Sequence, residues 1–386
     1  MHKHSLWRAF TGLAAAGALS APLVLTGAVS AGADDLAPLY TSDSAADGGY
    51  FVVLEDSLSA ASVTPATLGI AEDQVKHTYE QVINGYSADL TDTEMRDVRA
   101  HEAVAYVEEV GTATTMVPWG LDRIDQEDLP LDDTYSTSGD GTGTSVYIID
   151  TGIDPDHPDF GGRAEAAFDA TGGDGVDGQG HGTHVAGTVG SDSYGVAPGA
   201  DLFGVKVLGD DGSGSFDDVV AGIEWVAANA GPGAVANMSL GGPASQTVDE
   251  AVNALSASGV FVAVAAGNEG QDTGETSPGG AEGVAAVAAS ASDDSAASFS
   301  NHGPAVDLYA PGVDIESTVP GGGTDTLSGT SMASPHVAGA AALYKEAFGD
   351  DDHDTVLAWL VDNAGEDKVG DVPSGTVNRL LSVQGL

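Results

Sequence analysis

Ser145-Val146-Tyr147-Ile148-Ile149-Asp150 is a short apolar run that ends in a carboxylate, and Thr151-Gly152 follows it directly. Its length and its β-branched residues predict a buried strand rather than a helix. Similar apolar runs follow along the chain, and small-residue helical patterns separate them. The predicted strands are Leu202–Leu208, Ala234–Leu240 and Val260–Ala266, and the predicted helices are His181–Val189, Phe216–Ala230 and Thr247–Ser258. This alternation predicts an α/β fold, a parallel sheet with helices on both faces.

The composition excludes several classes of protein. Of the 386 residues, 42% are hydrophobic, which is enough for a large core. Cysteine is absent, so the chain has neither disulfide bonds nor a thiolate nucleophile. The net charge of −48 repels nucleic acids and anionic membrane surfaces. Two interpretations of the acidity remain open: a well-solvated surface, or an adaptation to salty surroundings in which counter-ions screen self-repulsion.

The first 33 residues have the features of a secretory signal peptide. Lys3 and Arg8 precede an apolar run from about residue 9 to residue 29, and the small residues Ala31 and Ala33 follow it. An uncleaved membrane anchor is the alternative, which the glycine- and alanine-rich run and its small-residue ending disfavour. No other segment approaches the roughly 18 apolar residues that a membrane helix needs. We therefore expect a secreted, extracellular protein that has no membrane contact once the signal is removed.

A small α+β domain is predicted between about residues 50 and 110. Strand patterns occur at Phe51–Leu54, Tyr86–Leu90 and Ala103–Val107, and helical patterns occur at Ala71–Gln81 and Asp92–Ala100. The composition changes near Thr112, where glycine-rich turns begin to alternate with the apolar runs. We therefore expect a domain boundary close to residue 112.

Four reactive side chains have small or glycine neighbours. Asp150 ends a strand, His181 opens a helix, Asn268 follows an apolar strand, and Ser331 lies where a loop enters a helix. Each has an ordinary structural interpretation, such as a turn residue or an N-cap. Each also suits acyl transfer, because a carboxylate can orient an imidazole, and a helix N-terminus and an amide can donate to an oxyanion. His184 lacks the glutamate of a zinc-binding His-Glu-x-x-His segment, so we expect a buried structural histidine.

Together, in the order Asp, His, Asn, Ser, these segments resemble the subtilisin-like serine proteases. The resemblance rests on Tyr147–Asp154, Gly178–Gly187, Val264–Asn268 and Ser328–Gly339, and it extends from about residue 112 to the C-terminus. Val117–Ile124 and Gly375–Asn378 resemble the proteinase K branch of that family. The resemblance implies a three-layer fold with a mostly parallel central sheet and helices on both faces.

The resemblance also implies a serine endopeptidase mechanism. Ser331 would attack the scissile carbonyl, His181 would take and return the proton, and Asp150 would orient His181. The Asn268 side chain and the Ser331 backbone N–H would hold the oxyanion, and loss of the Asn268 donor would slow turnover roughly 10²–10³-fold. An α/β-hydrolase esterase would need Gly-x-Ser-x-Gly around its nucleophile and the chain order Ser, Asp, His. Ala333 occupies the position of the second glycine, and the order here is Asp, His, Ser.

The family binds its substrate as an added β-strand. The residues that match its cleft strands are Gly212, Ser213, Gly214, Ser239, Leu240 and Gly241, and those that match the wall of its main specificity pocket are Ala265, Ala266 and Gly267. Small wall residues leave room for an apolar or aromatic substrate side chain, and the nearby Glu269 keeps a basic side chain open as an alternative. We expect broad specificity, and the processing of one particular precursor remains the other possibility.

A structural calcium ion is implied as well, although the chemistry itself requires no cofactor. Asp307 matches a family calcium ligand, with backbone carbonyls near Glu282 and Val284 as its partners. Family members often carry cysteines, one of them at the position of Val185, and this chain has none. Its stability would then depend more on calcium. The acidic run at 350–354 lacks the glycine and the distal glutamate of an EF-hand, so we expect a solvated loop there.

The segment before residue 112 resembles the inhibitory propeptide of these proteases. The match rests on Tyr50–Leu54, His77–Tyr79, Asn84–Tyr86 and Val104–Glu108. It implies a signal peptide over residues 1–33, a propeptide over 34–111 and a peptidase domain over 112–386. The propeptide would assist folding, inhibit the cleft and be removed by self-cleavage near residues 109–115. An N-terminal domain that stays attached is the alternative.

The expected partners are protein or peptide substrates and the chain's own propeptide, and we expect a monomer. Beyond residue 111 the sequence has 6 Lys and Arg against 43 Asp and Glu, a net charge of −37. The acidity is therefore a property of the predicted mature enzyme and not only of the propeptide.

Overall fold

The computed structural model describes residues 36–41, 45–111 and 117–386. The chain divides into two compact units, Met1–Thr114 and Thr115–Leu386, and each is described by itself. The predicted signal peptide and residues 112–116 of the predicted cleavage region lie outside the described residues. Within the described ranges, no helix has the length and apolar character needed to cross a membrane.

In its described part, residues 36–41 and 45–111, the first unit is a five-stranded sheet with one α-helix. Its strands are β1 (Leu39–Tyr40), β2 (Ala45–Leu54), β3 (Val75–Tyr79), β4 (Gly85–Asp89) and β5 (Val104–Gly111), in the order β1-β5-β2-β4-β3. Strands β1 and β5 run parallel, and the other pairs are antiparallel. Helix α1 (Asp92–Arg99) begins at a capping box formed by Thr91 and Glu94. Short 3₁₀ helices cover Pro65–Leu68 and Glu72–Gln74.

The prediction of a helix over Ala71–Gln81 is wrong. A 3₁₀ turn covers Glu72–Gln74, and Val75–Tyr79 forms β3, which pairs with β4. Valine, threonine and tyrosine favour a pleated, half-buried surface, and the pairing with β4 outweighs the weak helical pattern of the polar residues before it. The other predicted strands of this unit and α1 are present.

The second unit contains a nine-stranded sheet and two small ones. Its strands are β6 (Ser145–Asp150), β7 (Ala164–Asp169), β8 (Asp201–Lys206), β9 (Ala234–Met238), β10 (Gly242–Pro243), β11 (Phe261–Ala265), β12 (Thr276–Ser277), β13 (Ala285–Ser290), β14 (Leu308–Pro311), β15 (Ile315–Val319), β16 (Gly323–Leu327), β17 (Gly365–Glu366) and β18 (Arg379–Leu380). The large sheet has the order β17-β18-β14-β13-β11-β9-β6-β8-β7, and only β17 and β18 pair antiparallel in it. Strands β10 and β12 form one small antiparallel pair, and the hairpin strands β15 and β16 form the other.

Six α-helices accompany these strands. They are α2 (Trp119–Ile124), α3 (His181–Gly190), α4 (Phe216–Asn229), α5 (Gln246–Ala257), α6 (Thr330–Phe348) and α7 (His353–Asp362), and 3₁₀ turns cover Pro158–Phe160 and Thr273–Glu275. The predicted strands β6, β8, β9 and β11 and the predicted helices α3, α4 and α5 are confirmed.

Alternate residues of β6 face two separate cores. Val146 and Ile148 pack with α3 and α6, whereas Tyr147 and Ile149 pack with α4 and α5. Successive side chains of a strand point to opposite faces, so a strand that is apolar throughout needs helices on both sides. The expected three-layer α/β fold, preceded by a small α+β unit, is confirmed.

The acidic run at 350–354 is more ordered than a solvated loop. Asp350 pairs with the buried Lys345 at 2.8 Å, and Asp351 accepts a hydrogen bond from the Tyr344 hydroxyl at 2.9 Å. Asp352 caps α7 by accepting from Thr355 N at 2.9 Å, and His353 begins that helix as a buried residue. The carboxylates of this run therefore join α6 to α7.

Every Lys and Arg of the second unit has an internal partner. Five of them pair with carboxylates, in the pairs Arg123–Asp294, Arg163–Asp192, Lys206–Asp210, Lys345–Asp350 and Lys368–Asp128. The sixth, Arg379, donates to the Val361 carbonyl at 2.7 Å. Most of the remaining carboxylates, which are far more numerous, have no cationic side chain among the described residues to offset their charge.

We expect the melting temperature of this protein to rise with NaCl concentration. The Debye length falls from about 10 Å at 0.1 M salt to about 3 Å at 1 M, which screens repulsion among the surface carboxylates. Circular-dichroism melts over this range measure the slope. The triple variant Asp201→Asn, Glu224→Gln, Asp362→Asn removes three exposed charges and should melt higher at low salt, with a shallower slope. A salt-independent melting temperature would refute the adaptation to salty surroundings.

Candidate active site

Asp150 and His181 meet at the carboxyl edge of the large sheet. Asp150 ends β6 and is fully buried, and His181 is the first residue of α3. Asp150 Oδ1 lies 2.8 Å from His181 Nδ1 and also accepts a hydrogen bond from Thr151 N at 2.7 Å. A carboxylate oxygen at this distance places a proton on Nδ1 of His181. In the neutral imidazole, Nε2 is then the acceptor.

The environment of His181 favours its charged form. Burial of the imidazole lowers the pKa of His181, but the Asp150 carboxylate, its hydrogen bond and the Asp177 carboxylate outweigh burial and raise the pKa overall. Asp150 Oδ2 is buried and has no hydrogen-bond partner among the described residues. Because no hydrogen bond to Oδ2 offsets the charge of the Asp150 carboxylate, that charge attracts an imidazolium more strongly.

Ser331 is the second residue of α6, and its hydroxyl is hydrogen-bonded to Ser239 and not to His181 in this structure. Its Oγ donates to the Ser239 carbonyl at 3.1 Å, while the Ser239 hydroxyl donates to the Ser331 carbonyl at 2.7 Å. Ser239 in turn accepts from the buried Asn237 side chain, whose oxygen accepts from Ser334 Oγ at 2.7 Å. These bonds fix the first turn of α6 against the end of β9.

Asn268 is oriented by Thr330, a residue that the sequence analysis missed. Asn268 Oδ1 accepts hydrogen bonds from Thr330 N at 2.8 Å and from Thr330 Oγ1 at 3.0 Å. These two donors identify the oxygen of the amide, so Nδ2 is the atom left with a free N–H. Thr330 is fully buried, and its hydroxyl also accepts a hydrogen bond from Gly267 N. Thr330 therefore fixes both the Asn268 side chain and the backbone next to it.

Two adjoining cavities meet at Ser239, Leu240 and Gly241. The first, of about 360 Å³, is also lined by His181 and by Gly212, Ser213 and Gly214. The second, of about 430 Å³, is also lined by Ala265, Gly267, Asn268 and Ser331, with Glu269 and Glu275. The predicted cleft residues therefore share one groove that runs past His181 and Ser331.

Ala266 is the predicted pocket residue that the structure separates from the others. It is fully buried in a different cluster with Ala288 and Tyr309, and its carbonyl accepts a hydrogen bond from Asn301 Nδ2 at 2.9 Å. Alternation along the strand end explains this, because Ala265 and Gly267 face the cavity and the residue between them faces the core.

The predicted metal ligands lie away from this groove. Asp307 is partly buried and precedes β14, and its Oδ2 accepts a hydrogen bond from Ala286 N at 2.9 Å. Burial raises the pKa of Asp307 to about 6, against the opposing effect of that bond. No cationic side chain in the described residues pairs with this carboxylate. Glu282 is exposed and Val284 is buried in the segment that leads into β13.

A partly buried carboxylate without a cationic side chain suits a bound cation. Calcium prefers carboxylate and carbonyl oxygens, and a site of one carboxylate with main-chain carbonyls fits that preference. The described residues contain no cluster of three or more His, Cys, Asp or Glu side chains that could hold a metal. Main-chain carbonyls would therefore have to complete any site at Asp307.

The sheet edge thus carries an Asp–His pair, a serine at a helix N-terminus and a free amide donor, the groups that serine hydrolases use for acyl transfer. The sequence pattern of the subtilase family matches residues 141–385, and that of peptidase inhibitor I9 matches residues 50–114. The chain belongs to the subtilase family, and it is a serine endopeptidase with an inhibitor-type propeptide. The resemblance of the sequence to subtilisin-like proteases and their propeptides is confirmed.

Individual relatives agree with this assignment. The chain is 42% identical over 356 residues to alkaline serine exoprotease A of Vibrio alginolyticus, an alignment that covers 86% of this chain and 66% of the other, slightly less than two thirds. It is 40% identical over 358 residues to the cuticle-degrading protease of Metarhizium anisopliae, covering 89% and 92%. The crystal structure of a cold adapted subtilisin-like serine proteinase matches with a TM-score of 0.69 and 46% identity, covering 70% of this chain and 100% of that one.

Three buried histidines make stability fall in acid. Burial lowers the pKa of His184, His336 and His353 to about 4 each. His184 Nε2 donates to the carbonyls of Ile315 and Asp325, as expected of a structural histidine, and its Nδ1 is buried without a described partner. The unfolded chain binds protons at these side chains near pH 6.5, so each histidine stabilises the fold above that pH and loses its contribution as the pH falls towards 4.

We expect His353→Asn to reduce the acid sensitivity of unfolding. Asparagine Oδ1 can replace His353 Nδ1, which accepts from Val262 N at 3.2 Å, and it cannot be protonated. Asp307 and His181 have raised pKa values, so their protonation stabilises the fold as the pH falls and opposes the effect of the buried histidines. The difference between variant and parent therefore isolates the contribution of His353. Between pH 6.5 and 4 the slope of the unfolding free energy against pH should fall by up to about 1.4 kcal/mol per pH unit.

Urea titrations in a Ser331→Ala background measure this slope, and His302→Asn, at a partly exposed histidine, is the control. An unchanged slope in His353→Asn would contradict the assignment.

Proposed function

We propose that the chain is a secreted zymogen whose peptidase domain hydrolyses proteins through Asp150, His181 and Ser331. The observation that carries this proposal is the 2.8 Å contact between Asp150 Oδ1 and His181 Nδ1 beside the groove that Ser331 also lines. In this scheme the signal peptide is residues 1–33, the propeptide 34–111 and the peptidase domain 112–386. The strongly acidic chain would act as a monomer on protein substrates and not on nucleic acids.

The chemistry begins with a rotation of the Ser331 side chain. Its Oγ leaves the Ser239 carbonyl and donates to His181 Nε2, which takes the proton as Oγ attacks the scissile carbonyl. The imidazolium that forms is stabilised by Asp150. The imidazolium then protonates the departing amine. In the second half of the reaction, His181 takes a proton from a water molecule that attacks the acyl-enzyme, and it returns the proton to Ser331 Oγ as the acid product leaves.

The oxyanion would lie between Asn268 Nδ2 and Ser331 N–H. Thr330 holds the amide oxygen of Asn268 in the opposite direction, so the amide nitrogen is already oriented before substrate arrives. Ser331 N–H belongs to the first turn of α6, where backbone donors lack helical acceptors. Such preorganised donors stabilise charge that develops in the transition state without reorganising first.

The substrate would bind as a β-strand between the segments 212–214 and 239–241, with one side chain in the 430 Å³ cavity. That volume and the small residues Ala265 and Gly267 favour an apolar or aromatic side chain. Glu269 and Glu275 line the same cavity, but Glu269 Oε2 already accepts hydrogen bonds from Asn268 N and Asn301 Nδ2. We therefore propose broad specificity with an apolar or aromatic preference.

Replacing Ser331 by alanine should abolish both self-processing and proteolysis. The full-length chain and Ser331→Ala would be purified and followed by electrophoresis while they are incubated with casein. The parent should lose its propeptide and degrade casein, whereas Ser331→Ala should keep the propeptide and lose activity by several orders of magnitude. Ser328→Ala, at an exposed serine three residues earlier, should behave like the parent. If parent and Ser331→Ala both leave the propeptide attached and casein intact, the protease assignment fails.

The same preparations test the specificity of the pocket. Peptides that differ only in the residue before the scissile bond should give the highest kcat/KM with Phe or Leu and the lowest with Glu. An arginine peptide that exceeds the phenylalanine peptide, with the advantage lost in Glu275→Gln, would instead show that the pocket carboxylates set the preference.

Calcium is proposed as a structural ligand, with Asp307 and the carbonyls of Glu282 and Val284 holding it. The ion would replace the missing cationic partner of Asp307 and would take no part in the bond-breaking steps. Its contribution would be to tie the turn before β13 to the start of β14.

Calcium should raise the melting temperature of the Ser331→Ala protein relative to EDTA. A single site at 100 times its Kd adds about 2.7 kcal/mol, which is several degrees for a domain of this size. Asp307→Asn should remove this increment. Glu282→Gln should retain it, because only the main-chain carbonyl of residue 282 is a proposed ligand. An equal calcium shift in Asp307→Asn would exclude this site.

A further inference from the structure

Asp177 is a buried carboxylate that none of the proposed catalytic steps uses. It lies four residues before His181 and has 3% of its surface exposed. No cationic side chain of the described residues pairs with it. A buried, unpaired charge is costly unless hydrogen bonds satisfy it, so the partners of Asp177 indicate why the site keeps it.

Five donors surround the Asp177 carboxylate. Oδ1 accepts from Thr151 Oγ1 at 2.9 Å, Gln179 N at 2.9 Å and Gly180 N at 2.8 Å. Oδ2 accepts from Thr183 N at 2.9 Å and Thr183 Oγ1 at 2.7 Å. An asparagine in this position could accept only at one atom, so the backbone N–H of Thr183 would face an NH₂ group.

These donors come from the two segments that carry Asp150 and His181. Thr151 follows Asp150 and donates its N–H to Asp150 Oδ1, and its hydroxyl accepts from Gly182 N at 2.8 Å. Gln179, Gly180 and Thr183 bracket His181 at the start of α3. The two backbones are so close that a Cβ on Gly182 would lie 2.1 Å from the Gly152 carbonyl oxygen.

We propose that Asp177 is a positioning residue that fastens the end of β6 to the start of α3 and so sets the Asp150–His181 contact. The proposal rests on the proposed function of that pair. Through Thr151, Asp177 fixes the backbone beside the orienting acid, and through Thr183 and two loop amides it fixes the turn that presents the base. A displacement of about 1 Å in such a contact can cost 10²-fold in rate.

A second effect of Asp177 is electrostatic. The charged and titratable groups recorded around His181 are Asp150, Asp177 and His184, and the Asp177 charge contributes to the raised pKa of His181. Removing this charge should therefore make His181 easier to deprotonate. A residue with a purely structural role would not move the titration of the base.

Asp177→Asn should lower kcat by about 10- to 100-fold with little change in KM, because positioning acts on the reacting groups and not on substrate binding. The acid limb of the pH profile of kcat/KM should move to lower pH, by less than the 1–3 units that a direct contact with an opposite charge gives. The measurement uses the self-processed enzyme with one peptide substrate from pH 5 to 10. Asp174→Asn, which removes an exposed charge from the same loop, should retain parental kcat and the parental acid limb.

A second pair of variants covers the case in which Asp177→Asn folds poorly. Thr151→Ser keeps the hydroxyl that bridges Asp177 and Gly182 N, and it should restore most of the turnover that Thr151→Val loses. Melting temperatures of all variants report folding separately. If Asp177→Asn folds and shows the parental kcat and acid limb, or if Thr151→Val matches Thr151→Ser, Asp177 is not a positioning residue. That result leaves the protease assignment intact, whereas inactivity of the parent chain would refute the proposed function itself.

Discussion

The hydrogen bond between Asp150 and His181 depends on the parallel order of the large sheet. Parallel strands all end at the same edge, and the helices that follow them begin near that edge. Strand β6 therefore delivers Asp150, and α3 delivers His181, to positions that are 31 residues apart in sequence but 2.8 Å apart in space. The ends of β9 and β11 and the start of α6 meet at the same edge, which brings Ser239, Asn268 and Ser331 beside the pair.

Glycines let α3 and α6 pack closely against their neighbours. Helix α3 approaches β15 where a Cβ on Gly187 would lie 2.2 Å from Thr318 Oγ1, and α6 lies where a Cβ on Gly339 would be 2.5 Å from Val196. The two helices that carry the base and the nucleophile are therefore packed on small residues, and larger side chains there would push them apart. Rigid elements of this kind keep polar groups oriented without the entropy cost of ordering a loop.

The sequence was most informative where a local pattern of residues has a single structural or chemical explanation. Apolar runs between glycine-rich turns predicted β6, β8, β9 and β11, and reactive residues with small neighbours singled out Asp150, His181, Asn268 and Ser331. Prediction failed at β3, where pairing with β4 decides the conformation. It also failed to place Ala266, since pocket and core positions alternate within one short segment, and no composition signal distinguishes the two.

The supporting residues were harder to find because their roles come from distant contacts. Thr330 adjoins the nucleophile, yet only the folded chain shows that its hydroxyl orients Asn268, 62 residues earlier. Asn237 lies inside an apolar run and reads as a strand residue until its bonds to Ser239 and Ser334 are seen. Asp177 stands in a glycine-rich loop where an aspartate is ordinarily a turn residue.

The internal pairing of every Lys and Arg in the second unit has a consequence for survival among other proteases. Enzymes that cut after basic residues need such a side chain on an accessible, locally unfolded stretch of backbone. In residues 117–386 these six side chains are buried or partly buried, and Arg123, Lys206 and Lys345 are buried. The folded unit thus offers trypsin-type enzymes almost no point of attack, a form of protection that comes from scarcity and burial of targets and needs no disulfide bond.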